Sequence, residues 1–174
     1  MKKKKNIFII RHAEKSRDGL SITPRGRLQI NHLIKYIKTL DINKIYSSDI
    51  PRCIMTTELI RKEIPVEIIY SPTLREVPDE IWKNPQRNKT KIEEIAKLFK
   101  TILRDEKKNI LVVSSGNVNK ILITQAMQVS SNNAHFIQIP TCINHLEVIN
   151  NELRIVSINN TSHLPERLRI RQDY

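Results

Sequence analysis

Residues 6–15 read Asn6-Ile7-Phe8-Ile9-Ile10-Arg11-His12-Ala13-Glu14-Lys15. Four apolar residues without a polar break form a short buried strand, and the chain turns polar at the strand's carboxyl end with an arginine beside a histidine. In an open α/β sheet, ligands bind just beyond the carboxyl ends of the strands, which is where Arg11 and His12 stand. Histidine can attack phosphorus or exchange a proton near neutral pH, and arginine grips phosphoryl oxygens in a bidentate fork. The pair points to a phosphoryl site. On its own, a strand ending in two basic residues that face water is a competing reading, so the rest of the chain has to decide.

Working outward, Thr23 reads as an N-cap with Pro24 at the first helical position. Leu28, Ile30, Leu33, Ile34, Ile37 and Leu40 follow at helical spacing, predicting a helix to Leu40 that covers one face of a sheet. Residues 44–47 read as a second strand. The residues after them turn into a helix holding Arg52, Ile54, Met55, Leu59 and Ile60. Arg52 falls near that helix's amino terminus, where backbone N–H groups and the dipole favour an anion; an arginine there is unfavourable for the helix itself and reads either as a surface charge or as one that a ligand neutralises.

Residues 66–70 alternate into a third strand, and Ser71 to Lys89, with Pro72, Pro78 and Pro85, reads as a long loop of the kind that covers a site or sets specificity. Within it lie Glu76, its competitor Glu80, and Trp82, which walls a pocket or caps a core. Residues 90–103 give an amphipathic helix. Residues 109–114 form the most apolar strand and run into Ser115-Gly116-Asn117 before a helix over 118–127, a strand, small-residue turn and helix start that suits phosphate. Residues 141–149 and 153–158 flank the turn-prone pair Asn150-Asn151 as a terminal hairpin. The alternation predicts an α/β fold, a three-layer α/β/α sandwich with a mostly parallel central sheet and an antiparallel terminal hairpin.

At 174 residues the chain fits one domain, 1–174, with a basic tail at 1–5 and a second tail at 161–174 holding Arg167, Arg169 and Arg171. Apolar residues make up 39% and charged residues 28%, ordinary for a folded soluble protein. No apolar run approaches the ~20 residues of a membrane span, and the apolar stretch after Lys2 to Lys5 is too short for a signal peptide. Cys53 and Cys142 show neither metal-ligand nor disulfide spacing, so the expected setting is a reducing cytoplasm. A formal charge of +12 favours anionic partners. Three Phe, four Tyr and one Trp, mostly inside apolar runs, leave nucleic acid poorly supported.

Arg11-His12-Ala13-Glu14-Lys15 resembles the arginine-histidine-glycine signature of the histidine phosphatase (phosphoglycerate mutase-like) superfamily, in a variant with alanine, glutamate and lysine following. Further matches come in that family's order: Ile22-Thr23-Pro24-Arg25-Gly26, Tyr46 to Arg52 with Thr56 four residues on, Leu74-Arg75-Glu76, and Val112 to Asn117. The resemblance covers roughly residues 6–160. It implies a phosphomonoester hydrolase without metal or cofactor, in which His12 becomes a phosphohistidine and Arg11 and Arg52 hold the phosphoryl oxygens. It gives Glu76 the role of proton donor to the leaving group, a role suited to a partly desolvated carboxyl beside a phosphate. The substrate would be a phosphorylated small molecule or phosphoprotein. A mutase is disfavoured because the chain is short.

The sequence departs from the family at one place. The matching turn there reads serine-histidine-glycine, and its histidine belongs to the phosphate pocket; here Ser115 stands instead, followed by Gly116. A serine donates one neutral hydrogen bond but carries no charge toward the phosphoryl oxygens. His135, His145 and His163 do not match that position and read as structural or exposed. The sequence leaves three explanations open: a weak phosphatase, an inactive phosphate-binding or protein-interaction module that kept the pocket, or a substitution made to trap a complex.

Overall fold

The structure is a computed structural model that describes residues 4–170. Six strands form one sheet: β1 (Lys4–Arg11), β2 (Lys44–Ser48), β3 (Glu67–Ser71), β4 (Asn109–Ser114), β5 (Ile143–Ile149) and β6 (Glu152–Asn160). Their order is β3-β2-β4-β1-β5-β6. The first four strands run parallel, and β5 lies antiparallel to both β1 and β6. The carboxyl ends of four adjacent strands therefore open onto one edge of the sheet. That geometry makes a ligand crevice available there.

The helices are α1 (Pro24–Ile37), α2 (Pro51–Glu63), α3 (Asp79–Lys83), α4 (Lys89–Arg104) and α5 (Gly116–Met127). Strand alternation sorts the core into two halves. Ile7 and Ile9 of β1, with Ile110 and Val112 of β4, pack with Ile95, Phe99 and Ile121 of α4 and α5. Phe8 and Ile10, with Leu111 and Val113, pack with Ile30, Leu33 and Ile60 of α1 and α2. Both faces of β1 and β4 are thus buried, which is why these strands carry no polar break. The result is the expected three-layer α/β/α sandwich.

Thr23 caps α1 by accepting from the Gly26 amide at 3.0 Å, and Pro24 occupies its first turn. Gly26 is required for a different reason. A Cβ there would lie 2.5 Å from the Glu14 carbonyl oxygen and 3.2 Å from its amide nitrogen, so the helix start and the segment leaving β1 touch backbone to backbone. Gln29, fully buried, joins three parts of the chain: its oxygen accepts from the Glu14 amide at 3.0 Å and its amide donates to Leu168 O at 3.0 Å. The hairpin of β5 and β6 turns at Asn150 and Asn151 with φ of 52° and 68°, the left-handed pair that matches the twist of a two-residue hairpin.

Several expectations are corrected. Lys4 and Lys5 are not a tail but the start of β1, where Lys4 pairs with Glu147 at 2.6 Å and Lys5 Nζ donates to Leu103 O at 2.8 Å. In the carboxyl-terminal segment, Leu164 and Leu168 are buried at 1% and 3% exposure, so apolar docking folds residues expected to be solvated; Arg171 lies outside the described residues. Leu28, expected on the buried face of α1, is 48% exposed because the helical stripe passes it by, and α1 gives way after Ile37 to a 3-10 turn over Lys38–Leu40. The 71–89 segment is not one loop: it holds a 3-10 turn at Pro72–Leu74 and the helix α3, with Trp82 buried in the core. No helix of the described residues is long and apolar enough to cross a membrane.

His163 sits on this scaffold with both ring nitrogens buried and lacking hydrogen-bond partners among the described residues. Burial, then the nearby His32 and Arg169 charges, lower its pKa from 6.5 to about 4. An unfolded chain takes this proton below pH 6.5 while the folded chain refuses it until about 4. Stability present above pH 6.5 is therefore lost as pH falls toward 4. His163→Phe should reduce that acid loss by roughly 2 kcal/mol, read from urea midpoints at pH 7 and pH 4.5. Gly26→Ala should destabilise by about 1–3 kcal/mol in the same assay, although alanine is the better helix former, because the clash is with backbone.

Candidate active site

β1 delivers Arg11 and His12 to the open edge of the sheet. The Arg11 carbonyl accepts from the Thr141 amide at 3.0 Å, and the His12 amide donates to Ser114 O at 2.9 Å. The strand end is thus clamped between β4 and the turn before β5. The His12 imidazole is 1% exposed, and its Nδ1 lies 2.7 Å from Ala13 O. A carbonyl oxygen only accepts, so Nδ1 carries the hydrogen and Nε2 keeps its lone pair. That lone pair accepts from Arg52 Nε at 3.0 Å. Burial, then the adjacent Arg11 charge, holds the His12 pKa well below 6.5; Arg52 and Lys15 act in the same direction against the Ala13 bond. Neutral imidazole is therefore the form present at neutral pH.

Arg52 is the second residue of α2, whose N-cap residue Ile50 provides no side-chain cap. Thr56, one turn on, donates to Arg52 O at 2.8 Å and accepts from the Ala13 amide at 3.2 Å, so one hydroxyl joins the helix start to the segment after His12. The guanidinium makes an ion pair with Glu76 through Nη2 and reaches the Gly19 carbonyl at 3.4 Å through Nη1. Glu76 is 38% exposed at its side chain, and its partner is a cation. Its backbone is held firmly on either side. Leu74 O accepts from Ser114 Oγ at 2.8 Å, Val77 O accepts from Asn117 Nδ2 at 2.9 Å, and Arg75 forms a two-bond fork with Asp49 at 2.7 Å each. Glu80 is exposed on α3, and the pair with Arg52 belongs to Glu76.

Ser115 and Gly116 close the remaining side. Ser115 precedes α5 without capping it, and its fully buried Oγ has no hydrogen-bond partner among the described residues. Gly116 packs beside Arg11: a Cβ there would lie 3.6 Å from Arg11 Nε. The six residues singled out from the sequence, at 11, 12, 52, 76, 115 and 116, thus follow the carboxyl ends of β1, β2, β3 and β4 along the chain, Arg11 being the last residue of β1. Two further histidines make aromatic contacts instead. His145 stacks on Phe8 with ring centroids 4.5 Å apart and His163 faces Tyr36.

Sequence reasoning missed the support for Arg11. Its Nη1 donates to Gln138 O, and Gln138 belongs to a buried amide cluster in which Asn144 Nδ2 bonds Gln138 Oε1 at 2.8 Å and Ile9 O at 2.9 Å. Nothing local in the sequence marks these amides, because their partners are brought in by β5 pairing with β1. Gly19, which meets Arg52, and Lys15 beside it were also missed, because the loop between β1 and α1 reaches the start of α2 only in the folded chain. No group of three or more metal-ligating side chains occurs among the described residues.

Among solved structures, YhfR of Bacillus stearothermophilus superposes with a TM-score of 0.79 at 18% identity, covering 91% of this chain and 98% of that one. Phosphoserine phosphatase from Entamoeba histolytica gives 0.75 at 21% identity over 92% and 100% of the two chains. Alpha-ribazole phosphatase from Shigella flexneri gives 0.70 at 17% identity over 89% and 96%. These likenesses are of fold. A comparison with curated proteins gives no match. The family model of the histidine phosphatase superfamily (branch 1) matches residues 7–97 and 87–161, from the first buried residue of β1 through the end of β6. With the ordered signature of the sequence and the fold in agreement, the chain belongs to the histidine phosphatase superfamily, branch 1.

Proposed function

We propose that this protein hydrolyses phosphomonoesters through a phosphohistidine on His12. The observation that carries the reading is the imidazole itself: Nδ1 is committed to Ala13 O, leaving the Nε2 lone pair facing a guanidinium. In the resting site Arg52 covers that lone pair and is itself balanced by Glu76. An arriving phosphoryl dianion competes for both arginines, and drawing the Arg52 fork onto its oxygens uncovers Nε2. Glu76, released from Arg52 as the dianion arrives, takes up a proton from water; Nε2 then attacks phosphorus in line, the phosphorus–oxygen ester bond breaks, and Glu76 passes that proton to the departing oxygen. The phosphorylated ring carries a positive charge, which the Nδ1–H bond to Ala13 O stabilises. In the second step Glu76 takes a proton from water, the water oxygen attacks phosphorus, and the phosphorus–nitrogen bond returns its electron pair to Nε2.

Arg11 and Arg52 supply the positive charge that phosphoryl transfer asks of a site, so the two steps as written use side chains alone. Glu76 is exposed enough to meet both a leaving group and a water. The names of the neighbouring structures, phosphoserine phosphatase and alpha-ribazole phosphatase, support a phosphorylated small molecule as substrate ahead of a phosphoprotein. Ser115 favours the second reading, a phosphate-binding module with little turnover, since its hydroxyl brings no charge to the developing oxyanion.

An aryl phosphate assay decides between the two. Hydrolysis that falls to background in His12→Ala is the expected result. Binding of the ester by the parent protein, followed by calorimetry and without turnover, would establish the module instead. Ser115→His should raise kcat about tenfold or more, by restoring a charged donor to the oxyanion, and an unchanged rate would remove residue 115 from the pocket.

A further inference from the structure

The loop between β1 and α1 folds over the start of α2 and carries a third cation to His12. Its base is closed by a bridge between Lys15 and Ile22, and inside it the Ser16 amide donates to Ser21 O at 2.9 Å and the Gly19 amide to Ser16 O at 3.0 Å. Asp18 locks the tip: its Oδ1 accepts from the Leu20 amide at 3.0 Å and from Ser16 Oγ. Gly19 turns with φ of 72°, a conformation that favours glycine. This puts the point a Cβ would occupy 3.6 Å from Arg52 Nη1 and 4.0 Å from Lys15 Nζ. The two cationic ends flank one buried point of backbone. A loop so fully bonded to itself holds Lys15 there before any ligand arrives.

The charge inventory around Nε2 is uneven. Arg11 stands on the β1 side and Arg52 on the α2 side, while Ser115 contributes a buried hydroxyl with no charge. A phosphoryl group in flight spreads negative charge over three equatorial oxygens, and two guanidiniums do not surround three oxygens. Lys15 is the remaining cation near enough to act on the imidazole: its charge is among those opposing protonation of His12, after burial and Arg11.

We propose that Lys15 is a phosphoryl-binding residue of this site, its ammonium taking an equatorial oxygen from the Arg52 side and supplying the charge that Ser115 does not. The inference rests on the site reading above.

The test measures inorganic phosphate affinity by calorimetry and the His12 titration by imidazole nitrogen NMR, in the parent, Lys15→Met and Lys15→Arg. Lys15→Met should weaken phosphate about tenfold or more, raise the His12 titration midpoint because an opposing cation is gone, and lower kcat/KM for an aryl phosphate about ten- to a hundredfold. Lys15→Arg should recover most of all three. The Lys15 backbone is held independently of its side chain, and Lys15→Gln, which keeps much of the length without the charge, repeats the test should the Met variant not fold. Phosphate affinity within about twofold of the parent, together with an unmoved His12 midpoint, overturns the proposal, as does a parent that does not bind phosphate. Phosphate binding and the titration need no turnover. A site that binds through Lys15 yet hydrolyses nothing therefore defeats only the hydrolase reading, and a fully active Lys15→Met defeats only this one.

Discussion

The parallel pairing of β1 with β4 is the constraint on which everything else depends. Six successive Cα pairings, from Asn6 with Asn109 to Arg11 with Ser114, align two strands that are apolar on both faces. Because side chains alternate with a period of two, a one-residue slip would send Ile7 and Ile9 to the wrong half of the core. The same register brings His12 beside the Ser114 carbonyl and sets Gly116 against Arg11. Burial of aliphatic side chains, worth about 1.5–3 kcal/mol each, therefore fixes the position of a histidine that none of them touches chemically.

Around that histidine the structure concentrates like charges and restrains them with oxygen. Arg11 is held by the Gln138 carbonyl, Arg52 by Glu76 and Gly19, and the imidazole by Ala13. A cluster of cations around a neutral ring is electrostatically unsatisfied without an anion, and the Arg52–Glu76 pair is a stand-in for one. Under the proposed function, affinity for a phosphate is the difference between two pairings of Arg52, whose partner Glu76 is partly solvated. Arg11, gripped by buried backbone, serves as the fixed reference.

The parts legible in the sequence share one property: their causes are local. The unbroken apolar runs of β1 and β4 announce strands buried on both sides, Thr23 with Pro24 announces a helix start, and Asn150-Asn151 announces a tight turn. The convergence of Arg11, His12, Arg52 and Glu76 was readable only as a pattern spread over the chain, since no single segment implies it. What stayed hidden depends on distant partners. Helix α3 is short, and its place comes from Trp82 entering a core built by α4 and α5. The terminal segment looked solvated because its two apolar anchors, Leu164 and Leu168, are separated by charged residues and find their cover elsewhere. The amides of Gln138 and Asn144 became functional support only once β5 was paired with β1.

Gln29 gives the molecule a mechanical link between Leu168 and the segment that leaves β1. One buried amide holds Glu14, two positions from His12, and with its other atom holds Leu168. Pulling the carboxyl terminus away, by a protease cut, a fused partner or a captured surface, would release a hydrogen bond that the segment carrying His12 and Lys15 also leans on. The segment at Leu168 is therefore a handle on the edge of the sheet where His12 stands, and tension applied there would be felt as slack around the imidazole.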